Sequence, residues 1–151
     1  MDKAELAKQN FLSGCNCAQS VLCAFEKECA LDHETALKLA SGFGAGMARM
    51  REVCGAVSGM FMAADLIFGP SDPNDKNAKD KHYSELQKLA EEFRKETGSV
   101  ICRVMLGLEK SGPDNPVSEA RTPTYYRKRP CAELCALAAG ILEKYLDHEI
   151  S

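Results

Sequence analysis

A chain of 151 residues, 45% of them hydrophobic, can bury one sizeable core and has little room for two, so residues 1–151 are expected to form a single domain. A formal charge of −3 removes the basic excess that nucleic-acid binding needs, and the cluster Arg127, Lys128, Arg129 reads as solvated surface. The longest apolar stretch, Val53 to Phe68, is broken by Gly55, Ser58 and Gly59 and carries Asp65, which makes it too short and too polar to span a bilayer.

Helical periodicity dominates and no segment alternates like a strand, so the fold is expected to be all-α, a helical bundle of about six to seven helices. The first residues, Met1 to Leu6, alternate in charge and lack the apolar run of a secretory signal, so a cytoplasmic location is expected. A first helix runs from Asp2 to Ser13, with Asp2 and Glu5 at capping-box spacing and Gly14 as a stop. A second starts at Asn16, where Gln19 completes the same pattern. It buries Ala18, Val21, Leu22 and Phe25 and ends near Cys29 or Ala30. Asp32 opens a third helix through Ala40, which stops at the run Gly42-Phe43-Gly44-Ala45-Gly46.

The fourth helix is apolar on more than one face, as a central helix is, and Gly69-Pro70 ends it. A charged fifth helix carries the stripe Leu86, Leu89, Ala90, Phe93 and ends at Gly98. A short helix covers Val100 to Leu106. Gly107 to Pro130, with four prolines, reads as a long loop, and the last helix runs from Cys131 to Asp147.

Eight cysteines are more than such a chain ordinarily uses, and without an export signal a disulfide scaffold is not expected. Four of them stand out by position. Cys17 follows the Asn16 cap, Cys102 lies three residues after Ser99, and Cys131 follows Pro130, which places three cysteines in first helical turns. There the unpaired N–H groups and the helix dipole favour a thiolate, the form that attacks or binds metal. Cys54 falls in the first turns of the fourth helix, behind Arg49 and Arg51, which supply the same bias. Arg103 and Arg127 to Arg129 do so beside Cys102 and Cys131.

Within Cys54-Gly55-Ala56-Val57-Ser58-Gly59, two glycines each cost a helix about 1 kcal/mol relative to alanine. Something must need the missing side chains: another helix in close contact, or a cofactor lying against Gly55 and Gly59. The run Gly42, Gly44, Gly46 follows a helix and lacks dinucleotide-fingerprint spacing, so it reads as a turn that lets backbone approach the cysteines.

These segments together resemble a family of bacterial and archaeal proteins described as redox-active, defined by four invariant cysteines and a C-G-A-x-x-G motif and written C_GCAxxG_C_C. Gly14-Cys15-Asn16-Cys17-Ala18-Gln19-Ser20-Val21 matches its first-cysteine segment and Gly42 to Met47 its glycine-rich segment. Cys54 to Gly59 matches the motif, and Cys102 and Cys131 take the third and fourth cysteine positions. The resemblance implies redox activity at the four cysteines, on a helical scaffold that the split-Soret cytochrome also uses. The chain has no C-x-x-C-H, so covalent haem attachment is not expected.

Three readings remain open. In the first, Cys17, Cys54, Cys102 and Cys131 ligate zinc or an iron–sulfur cluster for electron transfer with a redox partner, although such sites usually draw ligands in close C-x-x-C pairs. In the second, the same cysteines are catalytic in metal-free thiol–disulfide or persulfide chemistry, with Cys54 or Cys17 as nucleophile. In the third, the chain is a non-catalytic helical module or homo-oligomer, whose core the six methionines and the apolar fourth helix would suit. Cys15 and Cys135 are candidate resolving thiols or extra ligands, Cys23 and Cys29 read as buried filler, and His33, His82 and His148 as surface residues.

Overall fold

Residues 1–108 and 112–149 are described by a computed structural model. Among them the chain forms nine helices and no strand. These are α1 (Lys3–Leu12), α2 (Cys17–Ala24), α3 (Glu26–Cys29), α4 (His33–Leu39), α5 (Gly55–Phe68), α6 (Lys76–Thr97), α7 (Cys102–Met105), α8 (Pro123–Lys128) and α9 (Cys131–Leu146). No helix among the described residues is long and apolar enough to cross a membrane.

The starts follow local chemistry. Asp2 accepts the Glu5 N–H and Asp32 the Thr35 N–H, so each satisfies a donor that the helix itself leaves unpaired. Asn16 and Gln19 form the full reciprocal box, at 2.8 and 2.9 Å. At the far end of α6, Gly98 takes a left-handed conformation (φ 84°) and returns its N–H to Arg94.

The core is built where α2, α5 and α9 meet, with α1 laid along α9 and α2 and with α6 against α9 and α5. Phe11, Leu22, Phe25, Met60, Phe93 and Leu142 are fully buried in it. Each such side chain contributes about 1.5–3 kcal/mol of transfer free energy. Apolar α5 packs against α2, α3, α6 and α9, while Phe61, Met62, Ile67 and Phe68 are partly buried and Leu66 is exposed.

Four expectations need correction. The second helix does not run to Cys29: Phe25 leaves helical geometry (φ −111°, ψ 19°) while its ring stays fully buried, and α3 begins after it. The fourth helix begins at Gly55, because Cys54 sends its N–H to Val100 O at 2.8 Å across an isolated antiparallel bridge between Val53 and Ile101. The stretch read as a loop from Gly107 to Pro130, part of which (109–111) lies outside the described residues, contains α8, capped by Thr122 with Pro123 in its first turn. His82 is buried, with Nε2 2.6 Å from Asp65 Oδ1 and its ring edge-on to Phe68.

The spacing of Gly55 and Gly59 is explained chiefly by helix contact. A Cβ on Gly59 would lie 2.6 Å from Ala18 O, and one on Gly55 would lie 3.0 Å from Cys17 Cβ and Phe43 O. Gly59→Ala is therefore expected to lower stability by about 3 kcal/mol, the upper end of ordinary overpacking. Gly140→Ala in α9 would meet only Ala4 Cβ, at 3.7 Å, and is expected to raise stability by about 1 kcal/mol. Urea denaturation midpoints of the two variants against the parent chain check both.

Candidate functional site

The four sequence-selected cysteines converge from four separate helix starts. Cys17 is the first residue of α2, Cys102 of α7 and Cys131 of α9, and Cys54 caps α5. The capping residue Asn16 also donates its amide to Ala40 O and Ser41 O, which ties the start of α2 to the end of α4. The Val53–Ile101 bridge sets Cys54 beside Cys102, whose N–H donates to Glu52 O at 2.5 Å.

The glycine-rich turn presses on the same place. A Cβ on Gly44 would lie 2.5 Å from Asn16 Cβ, and one on Gly46 would lie 2.6 Å from Cys102 Cβ. Four nearby residues with side chains, Ala45, Ala48, Arg49 and Arg51, have φ between 48° and 66°. Left-handed backbone costs a non-glycine residue about 1–2 kcal/mol, and strain of this kind collects at functional sites. Here bonds from Arg51 N–H to Ala45 O and from Glu52 N–H to Gly46 O hold it.

All four cysteines line one cavity of about 360 Å³. Gly55 lines it too, whereas Gly59 lies against α2. Cationic groups gather along the wall: Arg51 Nη1 lies 3.7 Å from Cys102 Sγ, and Arg49, Arg121 and Arg129 are also lining residues. Their charge is answered from the 112–122 segment. Arg51 Nε donates to Asp114 at 2.8 Å, and Glu119 pairs with Arg129 and stands 3.7 and 3.8 Å from Arg49 and Arg51. Arg121 stacks on Phe11 at 4.4 Å and donates to Phe11 O and Cys15 O.

The expected bias toward thiolate is overturned, because burial outweighs the positive groups. Burial pushes the Cys54 thiol up to about 12, although the N–H groups of Ala56 and Val57 pull it down. Cys102 is raised by burial despite Arg51. Cys17 is lowered by the neighbouring Cys131 thiol, but Cys135 and burial carry it well above the ordinary thiol value. Cys131 is raised by Cys17 and then by burial. In the metal-free protein these four are protonated at neutral pH.

A family model described as "Putative redox-active protein (C_GCAxxG_C_C)" matches residues 15–145. The chain belongs to this family. The match takes in all four cavity cysteines of this C_GCAxxG_C_C protein. No curated protein and no solved structure matches the chain.

The other cysteines divide. Cys135 is fully buried, with Sγ 3.7 Å from Cys17 O, so it stands behind the cavity wall. Cys15 is half-buried and is not a lining residue; its carbonyl anchors Arg121. Cys23 and Cys29 are buried, and His33 and His148 are exposed. Arg121, Tyr125 and Glu119 line the cavity without having drawn notice in the sequence, because they come from the proline-rich segment, which lacks periodicity.

These thiols make stability depend on alkaline pH. The folded pKa of each cavity cysteine lies above the ordinary 9.0, so the fold retains protons that the unfolded chain releases. Stability is full below about pH 9 and is lost as pH rises toward 12, at about 1.4 kcal/mol per pH unit for each thiol held neutral. Urea midpoints of reduced, metal-free protein at pH 8 and 10.5 are expected to show this fall, with a shallower slope in Cys54→Ser.

Proposed function

We propose that the cavity is a redox centre in which Cys17, Cys54, Cys102 and Cys131 hold an iron–sulfur cluster for electron exchange with a partner protein. The observation that carries this reading is the convergence of four buried cysteines, far apart in sequence, on one cavity. Four soft sulfur donors suit zinc or iron–sulfur groups. A single tetrahedral zinc with bonds of about 2.3 Å needs its sulfurs roughly 4 Å apart. Among the described residues no three cavity sulfurs lie within 4.8 Å of one another, and the cavity exceeds what one ion requires, which favours a larger group.

A bound cluster would supply one-electron transfer. The chain's own part is to release four thiol protons, to offset the resulting charge and to keep water out. Arg51 and Arg129 face the sulfurs and offset it, as do the N–H groups of Ala56 and Val57 at Cys54. Phe11, Tyr125 and Leu134 form an apolar wall, and Gly55 leaves room that a Cβ would take. Eight free cysteines suit a reducing compartment, the cytoplasm of a bacterium or archaeon, and nothing in the charge favours a nucleic-acid partner.

A second reading rests on the Cys17 and Cys131 thiols, which face one another. One would attack an incoming disulfide to give a mixed disulfide and a substrate thiol. The other would displace the second half, leaving Cys17–Cys131 oxidised. The raised pKa of both thiols disfavours it.

Iron, zinc and acid-labile sulfide per chain, with the visible spectrum, separate the two in protein purified without oxygen. Stoichiometric iron and sulfide, lost in Cys54→Ser, are expected. Metal-free protein that forms a Cys17–Cys131 disulfide on adding a disulfide substrate, identified by peptide mass spectrometry, would replace the first reading with the second.

A further inference from the structure

Away from the cavity, the break in the second helix brings three different metal-ligating side chains to one point. Cys23 lies in the last turn of α2, Glu26 opens α3 and His33 opens α4. A ligating atom of each lies within 4.8 Å of the other two, and His33 Nδ1 already pairs with Glu26 Oε1. The backbone makes this possible twice over. Phe25 stops α2 one residue before Glu26, and Ala30, at φ 55°, turns the chain back so that Asp32 can start α4 beside Cys23.

We propose that Cys23, Glu26 and His33 form a divalent-metal site of the zinc type, separate from the four-cysteine cavity, with solvent in the fourth position. The donor set is the first argument. Thiolate sulfur, imidazole nitrogen and carboxylate oxygen are the three ligand types zinc accepts together, and three protein ligands leave one coordination position open. Spacing is the second. Donors around a tetrahedral zinc stand roughly 3.5 Å apart, so atoms already within 4.8 Å need only small side-chain movements to close on an ion. The three occur as Cys-x₂-Glu-x₆-His, a local grouping of the kind zinc sites draw on, unlike the dispersed cavity cysteines.

Burial is graded in the direction such a site needs. Cys23 is 6% exposed and forms the floor, while the Glu26 and His33 side chains are 27% and 64% exposed and leave a route for the ion. In the metal-free chain, burial and then the Glu26 carboxylate push the Cys23 thiol up to about 12. Zinc would displace the Cys23 thiol proton to solvent as the sulfur–metal bond forms. It would also fasten α2, α3 and α4 together at the turn, making the metal a staple for that corner of the fold.

The test uses the reduced, full-length chain titrated with zinc chloride, with the nitrogen resonances of the His33 imidazole as the site-specific readout. A shift saturating at one zinc per chain is expected, and it should persist in Cys54→Ser, so failure of the cavity reading leaves it standing. Cys23→Ser and Glu26→Gln are expected to weaken it by more than about 100-fold, beyond the loss of an outer-shell partner. His33→Ala, at an exposed position that does not threaten the fold, is expected to take up one zinc fewer per chain. His33 resonances indifferent to zinc, or equal zinc uptake by the parent and His33→Ala, would overturn the site.

Discussion

The contact between α2 and α5 is the constraint on which the rest of the structure depends. At Gly59 the α5 backbone comes against Ala18 with no room for a Cβ, and at Gly55 it comes against Cys17 and the carbonyl of Phe43, where a Cβ would lie 3.0 Å from both. A closer approach of two helices buys a specific juxtaposition: the first residue of one beside the cap of the other. Cys17 and Cys54 become neighbours by this route, although 36 residues lie between them. The Val53–Ile101 bridge then adds Cys102, and the packing of α9 on α1, α2 and α5 adds Cys131.

Once assembled, the cavity sets two electrostatic influences against each other. Helix starts and arginines favour thiolate, and burial favours thiol. Burial wins because the cysteines are nearly closed off from water and because each sulfur has sulfur neighbours, so that a second negative charge would meet a first. The positive groups are therefore not enough to make a resting thiolate. They are suited to a state in which an incoming cation has already replaced the protons. This is the physical reason for preferring a ligand site to a free nucleophile.

Much of this architecture was legible in the sequence, for reasons that can be named. Asn16 and Gln19, Asp2 and Asp32 announce helix starts because capping is a local bond whose partners are three residues apart. The four cysteines stand out by their positions at such starts. What stayed hidden depends on distant parts of the chain. Phe25 breaks a helix that its neighbours would continue, because its ring is taken into the core. His82 is buried because Asp65 and Phe68, in another helix, receive it. The start of α8 was marked by Thr122-Pro123, a cap followed by a first-turn proline, yet the abundance of prolines around it concealed the signal. The protonated state of the cavity thiols stays hidden because spacing reports charges along the chain and says nothing of solvent exclusion.

Glu119 carries a consequence for what can enter. Its carboxylate rests among Arg49, Arg51 and Arg129, and Asp114 holds Arg51 from the same segment. The guanidinium groups over the sulfurs are thus already engaged by the chain's own acids. An anion approaching Cys102 competes for Arg51 with Asp114 and Glu119, so admission is a substitution and not an addition. The selectivity of such an entrance lies in a contest between guest and resident carboxylate, and the resident, tethered to the fold, competes at a fixed effective concentration whatever the composition of the solution.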